Sequence, residues 1–160
     1  MDMKESVVER YSEGAEAVQP SLCCPVDYDA SLLAMLPKEV IEKDYGCGDP
    51  SRYVQEGDVV LDLGSGSGKI CYMAAQLVGD TGRVIGVDMN DEMLALARQY
   101  QPEMAAKLGG DKVSFVKGQI QDLARSLDNP ESSEPMIADN SVDLVLSNCV
   151  LNLVNDSDKK

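Results

Sequence analysis

Short apolar runs alternate with amphipathic stretches from about residue 55 to residue 147 of this chain. The runs that predict β-strands lie at 59–63, 83–87, 112–117 and 142–147. Between the first three runs, residues 69–78 and 90–100 repeat their apolar positions at helical spacing. Strands that alternate with helices are typical of an α/β fold with a doubly wound parallel sheet.

The beginning of the chain lacks this alternation. Apolar spacing predicts helices over 4–18 and 31–43, and Pro37 interrupts the second of them. Loops rich in proline and glycine follow each helical stretch. We therefore divide the chain into an N-terminal segment of helices and loops, 1–50, and an α/β domain, 51–160.

The last part of the predicted domain sets its topology. Residues 120–127 predict a short helix and 128–140 a polar loop before the fourth strand. Right-handed crossovers place the strands, numbered along the chain, in the order 3-2-1-4. A sheet of this kind normally continues beyond the fourth strand, which is otherwise an open apolar edge. We expect an incomplete sheet, truncated after strand 4, from the front part of a longer protein; the alternative is a natural four-stranded domain.

The turn after the first strand carries the clearest chemical signal. Its residues are Asp62, Leu63, Gly64, Ser65, Gly66, Ser67 and Gly68. Glycines between a strand and a helix let a ligand approach the backbone and allow positive φ angles. Asp88 follows Gly68 by 20 residues, at the end of the second strand, where a carboxylate can accept both hydroxyls of a ribose. The spacing predicts a nucleoside site, whereas a purely structural turn leaves the two acidic residues unexplained.

Asp62 helps to distinguish between possible nucleosides. A dinucleotide site usually reads G-x-G-x-x-G, but here Lys69 stands where the third glycine belongs. A carboxylate beside the turn repels a pyrophosphate and favours a ligand that carries an amino cation and a sulfonium. S-adenosylmethionine carries both charges, so the sequence favours it over NAD and leaves a dehydrogenase as a distant alternative.

Composition narrows the partners and the chemistry. The formal net charge is −14 without a basic stripe, so we expect neither a nucleic acid nor an anionic membrane as partner. The N-terminus lacks the apolar core of a signal peptide, which predicts a cytoplasmic protein. The odd number of cysteines, 5, favours thiol chemistry or burial over a disulfide framework. Histidine is absent from the sequence, which removes the commonest general base and the imidazole zinc sites.

Several segments together resemble the arsenite methyltransferases that use S-adenosylmethionine. The resemblance spans roughly 38–154 and rests on Y-G-C-G at 45–48, the glycine turn through Lys69, C-Y at 71–72, V-D-M at 87–89, the stretch 115–123, and S-N-C-V-L-N-L at 147–153. Many methyltransferases share the glycine motif, whereas the first and last segments are more specific to arsenic methylation. The resemblance implies a Rossmann-like class I methyltransferase fold, incomplete here, with S-adenosylmethionine as cofactor.

The resemblance also implies roles for particular positions. Cys47 and Cys149 would be two of the thiolates that bind trivalent arsenic, the substrate, and act in catalysis. Its implied cofactor contacts are Tyr45, Gly64 and Asn148 at the methionine end, Asp88 at the ribose, and Met89, Ile120 and Gln121 at the adenine; the glycine motif adds Asp62, Ser65, Gly66 and Gly68. The sequence departs from the family at Gln121, where an acidic residue is common. It also lacks a third arsenic-binding cysteine, which in such proteins lies beyond the position of Lys160.

Arsenic chemistry suits a chain without histidine. Trivalent arsenic is a soft centre, and thiolates are the side-chain ligands for soft centres. Thiolate-bound arsenic keeps a lone pair that can attack a methyl carbon in line, so no proton has to be removed from the nucleophile. Catalysis would then rest mainly on holding the two reactants in alignment.

Other interpretations stay open from the sequence alone. The chain could methylate an oxygen or nitrogen of another small molecule, or it could bind cofactor or metalloid without turnover. Cys23 and Cys24 are redox partners of Cys47, an accessory thiol site, or ordinary loop residues, and Cys71 is expected in the core. If the chain methylates arsenic, we expect a thiol reductant as a further partner, with arsenic bound either as the free trivalent species or as a thiol conjugate.

Overall fold

A five-stranded sheet forms the centre of this chain in a computed structural model that describes residues 3–18 and 27–154. The strands are β1 (Val59–Leu63), β2 (Arg83–Asp88), β3 (Val113–Gln119), β4 (Asp122–Ser126) and β5 (Leu144–Ser147). The α-helices are α1 (Met3–Glu16), α2 (Ala30–Leu33), α3 (Lys38–Glu42), α4 (Lys69–Ala75), α5 (Asp91–Gln99) and α6 (Gln101–Leu108). Two short 3-10 turns cover Pro50–Tyr53 and Leu151–Leu153.

The strand order is β4-β3-β2-β1-β5. β1 is parallel to both β2 and β5, and β2 is parallel to β3, so the predicted order 3-2-1-4 is confirmed for the four parallel strands. In this register Leu61 of β1 lies opposite Ile85 on one side and Val145 on the other. Because the central strands are parallel, their carboxyl ends meet at one edge of the sheet.

The prediction of a helix over 120–127 is wrong. Asp122–Ser126 is instead the strand β4, which pairs antiparallel with β3 through a tight turn at Ile120 and Gln121. The polar loop that follows returns along the other edge of β4, where the backbone N–H of Met136 donates to the carbonyl of Ala124 at 3.0 Å. Pairing on both edges outweighs the helical preference of this short segment, because propensity is a weak guide where tertiary contacts compete.

The other predicted helices are observed with small changes at their ends. Pro37 does separate two helices, α2 and α3, as predicted. Asn90 caps α5, since its Oδ1 accepts a hydrogen bond from the N–H of Met93 at 2.9 Å. The helix predicted over 69–78 is regular only to Ala75. Gly109 ends α6 with a φ of 74° in the left-handed region, where glycine is favoured.

Helix α4 is the most buried element described, and it joins the sheet to α5. Every residue of α4 is buried, including Cys71, whose predicted place in the core is confirmed. The hydroxyl of Tyr72 donates to the carbonyl of Ala97 in α5 at 2.6 Å, and its ring meets Phe115 of β3 edge to face with centroids 5.5 Å apart. These contacts fix the glycine turn, which leads directly into α4, against the sheet.

The N-terminal helix α1 packs on α5. The amide of Asn90 donates to the carbonyl of Val8 at 3.0 Å and to the hydroxyl of Ser12 at 2.9 Å. Helix α1 is therefore held over the edge of the sheet where the carboxyl end of β2 lies. Within the described ranges, no helix combines the length and apolar character that crossing a bilayer requires.

Candidate functional site

A cavity of about 300 Å³ lies at the carboxyl ends of β1, β2 and β5, a size found in sites for small molecules. The predicted residues that line it are Tyr45, Asp62, Gly64, Ser65, Gly66, Asp88, Met89, Ile120, Gln121, Asn148 and Cys149. The structure thus brings most of the predicted site to one place. The two exceptions are Cys47, which lies just outside the lining, and Gly68.

The glycine turn has one position that is open and one that is closely packed. Gly64 has a φ of 76°, and its N–H donates to the carbonyl of Val87 at 2.7 Å. A side chain at Gly64 would collide with Val150, which follows β5. Gly66 has a φ of 53°, and beyond its two chain neighbours no atom of the described residues lies within 4 Å of the position that a Cβ would take. Gly64 therefore brings two segments together, whereas Gly66 leaves space on the cavity side of the turn.

Gly68 is not among the residues that line the cavity, and the structure shows that it has a packing role. It precedes α4 with a φ of 88°, and a Cβ there would lie 2.8 Å from the ring of Phe115. Positive φ and close approach both require glycine at this position. Gly68 shapes the site from behind by letting α4 start close to β3.

Asp88 links the glycine turn to the start of α5. One carboxylate oxygen accepts the N–H of Gly66 at 2.9 Å, and the other accepts the N–H of Asn90 at 2.9 Å. Burial raises the pKa of Asp88, and these backbone donors partly offset the rise. The carboxylate is thus held in place at the cavity wall with further lone pairs available to a ligand.

Asp62 is buried at the end of β1, with 2% of its surface exposed. The thiol of Cys71 donates to its Oδ2 at 3.4 Å. Burial raises the pKa of Asp62 to about 7, and the nearby Asp44 and Asp88 add to the rise. A cationic ligand in the cavity would reverse this shift, because opposite charge favours the ionised carboxylate.

Ser65 supplies an unsatisfied polar atom at the cavity. Ser65 is 4% exposed, and its Oγ has no hydrogen-bond partner among the residues that the structure describes. A buried hydroxyl without a partner costs about 1–3 kcal/mol. A polar ligand atom in the cavity would satisfy it, as expected for a site that holds a polar small molecule.

Cys47 and Cys149 meet at the edge of the cavity. The two residues are 102 positions apart in sequence, yet they form a disulfide with their Cα atoms 5.8 Å apart. Cys149 lines the cavity and has a φ of 57°, while Cys47 is exposed to solvent. The pair therefore connects the interior of the site with the surface, where a substrate or a reductant can reach it.

Asn148 holds the segment that carries Cys47. Its Oδ1 accepts the N–H of Cys47 at 2.9 Å, and its Nδ2 donates to the carbonyl of Gly48 at 2.7 Å. A side chain at Gly46 would collide with the Asn148 amide, so glycine is required for this approach. Asn148 thus lines the cavity and at the same time fixes the first thiol beside the second.

Tyr45 connects the cavity with α1. Its side chain is 6% exposed, and its hydroxyl donates to the carbonyl of Gly14 at 2.9 Å. The ring of Tyr11 meets it edge to face, with centroids 6.2 Å apart. Tyr45 is therefore both a wall of the cavity and an anchor for the N-terminal helix.

Sequence reasoning missed a second group of lining residues. They are Val7, Val8 and Tyr11 of α1, Lys43 and Asp44 before the Y-G-C-G segment, and Asn90 and Met93 at the start of α5. No local motif marks the residues of α1, because they reach the site through contacts with α5 and Tyr45, which are distant in sequence. Asn90 could have been suspected, since it follows Asp88 by two positions and caps the next helix.

The described thiols do not form a larger cluster. Within residues 3–18 and 27–154, no group of three or more His, Cys, Asp or Glu side chains could hold a metal ion. Cys23 and Cys24, the predicted accessory thiols, lie outside the described residues. The described part of the site therefore offers a pair of sulfur atoms.

Comparison with known proteins places this chain among methyltransferases. Residues 54–160 match the protein family described as a methyltransferase domain. The arsenite methyltransferase of Aquipseudomonas alcaligenes is 42% identical over 98% of this chain and 44% of its own length, and that of the rat is 39% identical over 83% and 34%. This chain thus spans less than half the length of these relatives.

A crystal structure extends the similarity to three dimensions. An arsenic(III) S-adenosylmethionine methyltransferase from Chlamydomonas reinhardtii superimposes with a TM-score of 0.68 at 40% identity, covering 88% of this chain and 42% of that one. The predicted resemblance to arsenite methyltransferases and the predicted Rossmann-like class I methyltransferase fold, incomplete here, are both confirmed. The chain belongs to the methyltransferase domain family.

Proposed function

We propose that this chain is the cofactor-binding part of a methyltransferase that transfers the methyl group of S-adenosylmethionine to thiolate-bound trivalent arsenic. The observation that carries the proposal is the meeting of Cys47 and Cys149 at the rim of the cavity. Relatives with arsenite methyltransferase activity in their names support the choice of substrate.

The cavity residues fit S-adenosylmethionine. Gly66 leaves open space, Ser65 presents an unsatisfied hydroxyl, and Asp62 and Asp88 supply carboxyl groups for a ligand with cationic and hydroxyl groups. Met89, with Ile120 and Gln121 in the β3–β4 turn, provides an apolar wall with one amide for the adenine. Tyr45 and Asn148 remain our candidates for contacts with the methionine end.

Different residues of this chain bind the cofactor and the arsenic. S-adenosylmethionine supplies an electrophilic methyl group on a sulfonium. Asp62 offsets the positive charge beside the turn, and Asp88 holds the ribose. Cys47 and Cys149, as thiolates, hold arsenic with its lone pair free to attack, so no general base is needed. Alignment of the two reactants supplies the main rate effect.

The disulfide makes a reductant part of the proposal. A disulfide sulfur cannot bind arsenic, because the ligand must be a thiolate. Two equivalents of an external thiol reduce the Cys47–Cys149 bond, giving two protein thiols and one oxidised reductant disulfide. Methylation also removes the arsenic lone pair, and a further two-electron reduction by thiols restores the trivalent state.

We place this reaction in the cytoplasm, where thiols are kept reduced. We further propose that residues 1–50 form a separate N-terminal segment, which carries Cys23, Cys24 and Cys47, and that 51–160 form the cofactor-binding domain. The formal net charge of −14 gives no reason to expect a nucleic acid or an anionic membrane as partner.

The test is arsenic-dependent methyl transfer by Cys47→Ser and Cys149→Ser variants, measured together with S-adenosylmethionine binding by calorimetry. We expect each variant to lose methyl transfer to arsenic while keeping cofactor affinity, because serine cannot replace a soft thiolate. Full activity in both variants would reject the arsenic site. Methylation of an oxygen or nitrogen acceptor that neither substitution changes would indicate a methyltransferase for another small molecule. Cofactor binding without any methylated product would indicate a binding module.

A further inference from the structure

A buried ion pair joins Asp44, which lines the cavity, to Lys69 behind it. The Nζ of Lys69 is 2.6 Å from the Oδ2 of Asp44, and the two side chains are 5% and 9% exposed. The same ammonium lies 3.7 Å from the centre of the Tyr28 ring, within reach of a cation–π interaction. The methyl-transfer scheme proposed above assigns no role to these three residues.

The ion pair holds the backbone next to Cys47. The same oxygen of Asp44 that meets Lys69 also accepts the N–H of Gly46 at 3.2 Å. The hydroxyl of Tyr28 donates to the carbonyl of Gly46 at 3.4 Å. Gly46 is therefore held at both its N–H and its carbonyl, one residue before the thiol.

Lys69 connects this segment to the cofactor side of the site. It is the first residue of α4 and follows Gly68 directly. Its position is thus set by the glycine turn and by the packing of α4 on the sheet. The glycine turn, Lys69 and Asp44 thus form a continuous series of contacts that ends at the backbone next to Cys47.

We propose that Lys69 is a positioning residue that, through Asp44, holds the thiol-bearing segment 44–48 against the glycine turn. The segment has no helix or strand of its own, so its place depends on such contacts. Asn148 holds it from the β5 side, and the Lys69–Asp44 pair holds it from the α4 side. This inference rests on the proposed function, because it assigns the spacing of thiol and cofactor to the pair.

The burial of the Lys69–Asp44 pair determines which variants can test it. Removing one partner of a buried ion pair leaves an unpaired charge and destabilises the fold strongly, whereas replacing both is often tolerated. The main variant is therefore Lys69→Met with Asp44→Asn. Asparagine keeps an acceptor for the N–H of Gly46, so the pair is lost while the local hydrogen bond can remain.

The readout is the effective concentration of the Cys47 and Cys149 thiols for each other. The protein is equilibrated in glutathione redox buffers, and the fraction of the Cys47–Cys149 disulfide is measured by mass spectrometry of the linked peptides. In the double variant we expect the effective concentration to fall about tenfold or more, because the segment is held at one side only. Cofactor affinity is measured in parallel.

The matched control is Lys107→Met in α6. Lys107 also forms a lysine–carboxylate pair, 2.7 Å from Glu103, but its side chain is 40% exposed and outside the cavity lining. In Lys107→Met we expect the effective concentration of the Cys47 and Cys149 thiols to equal that in the unaltered protein. An unchanged value in a folded double variant overturns the proposal. If the double variant does not fold by circular dichroism, Lys69→Leu with Asp44→Asn, which again leaves no unpaired charge, is judged by the same criterion.

The experiment separates this inference from the function on which it rests. The redox equilibrium needs neither arsenic nor cofactor, so it reports only how the thiols are held. A loss of effective concentration together with an unaltered protein that never methylates arsenic supports the positioning role and rejects the proposed function. An unchanged effective concentration in the double variant, together with arsenic methylation by the unaltered protein, rejects the positioning role and leaves the proposed function in place.

Discussion

The side chain of Asn148 accepts the backbone N–H of Cys47 at 2.9 Å, across 101 residues of sequence. Its amide nitrogen donates in turn to the carbonyl of Gly48 at 2.7 Å. One residue after Asn148, Cys149 forms the disulfide with Cys47. The segment that follows β5 therefore brings its own thiol to the site and also fixes the partner thiol.

Replacing Asn148 tests this arrangement. Asn148→Ala leaves the N–H of Cys47 and the carbonyl of Gly48 without this partner, and each lost hydrogen bond costs about 1 kcal/mol. We expect the KM for trivalent arsenic to rise about tenfold or more, as the thiols lose their fixed separation. Steady-state kinetics in saturating S-adenosylmethionine measure it. An unchanged KM would show that the thiols are held without Asn148.

Asp88 is expected to govern cofactor affinity. Asp88→Ala removes the acceptor for Gly66 and Asn90 and the carboxylate offered to the ribose. We expect S-adenosylmethionine binding to weaken about 10- to 100-fold, since two charge-assisted hydrogen bonds are lost. Calorimetry gives the affinity, and Asp88→Asn, which keeps one oxygen, should lose less. Equal affinity in Asp88→Ala and the unaltered protein contradicts the ribose assignment.

Two glycines of the same turn should respond differently to alanine. Both Gly66 and Gly68 have positive φ, so each substitution carries a backbone penalty of about 1–2 kcal/mol. At Gly68 the methyl group also meets Phe115 at 2.8 Å, whereas at Gly66 it enters open space. We therefore expect Gly68→Ala to lower the melting temperature more, and Gly66→Ala to lower cofactor affinity more. The opposite order in scanning calorimetry and binding would refute the assignment of space at Gly66.

Cofactor binding should depend on pH through Asp62. Its pKa in the free protein is raised to about 7, so below that pH the carboxyl is mostly protonated and neutral. A cationic ligand needs the ionised form, so affinity should rise as pH increases through 7 and should fall about tenfold per pH unit well below it.

Calorimetry between pH 5.5 and 7.5, where an amino group of the ligand stays mostly charged, measures this slope. The control is Asp62→Asn, which cannot ionise and should bind more weakly with a flat pH profile across that range. A slope that persists in Asp62→Asn would assign the titration to another group.

Local patterns predicted the parallel part of the fold. Apolar runs gave β1, β2, β3 and β5, and the spacing from Gly68 to Asp88 marked the two strand ends that meet at the cavity. These features are local because parallel strands buried on both faces read as continuous apolar runs. The strand β4 was not predicted because Leu123, Ala124 and Arg125 are good helix formers, whereas its conformation is decided by pairing with β3.

The parts of the site that depend on distant contacts could not be predicted. Lys69 was noted only as the residue that replaces a glycine, although the structure pairs it with Asp44, 25 positions earlier. The contact of Val8 with Asn90 likewise joins segments 82 positions apart. Such pairs leave no periodic signal, so a single sequence carries no trace of them.

The central claim is that the thiols of Cys47 and Cys149 hold arsenic together. The most direct measurement is X-ray absorption at the arsenic edge for the reduced protein loaded with one equivalent of trivalent arsenic. We predict arsenic–sulfur scattering that loses one sulfur in Cys47→Ser and one in Cys149→Ser, with a weaker binding constant in each. Scattering and affinity that are unchanged in both variants would contradict the account.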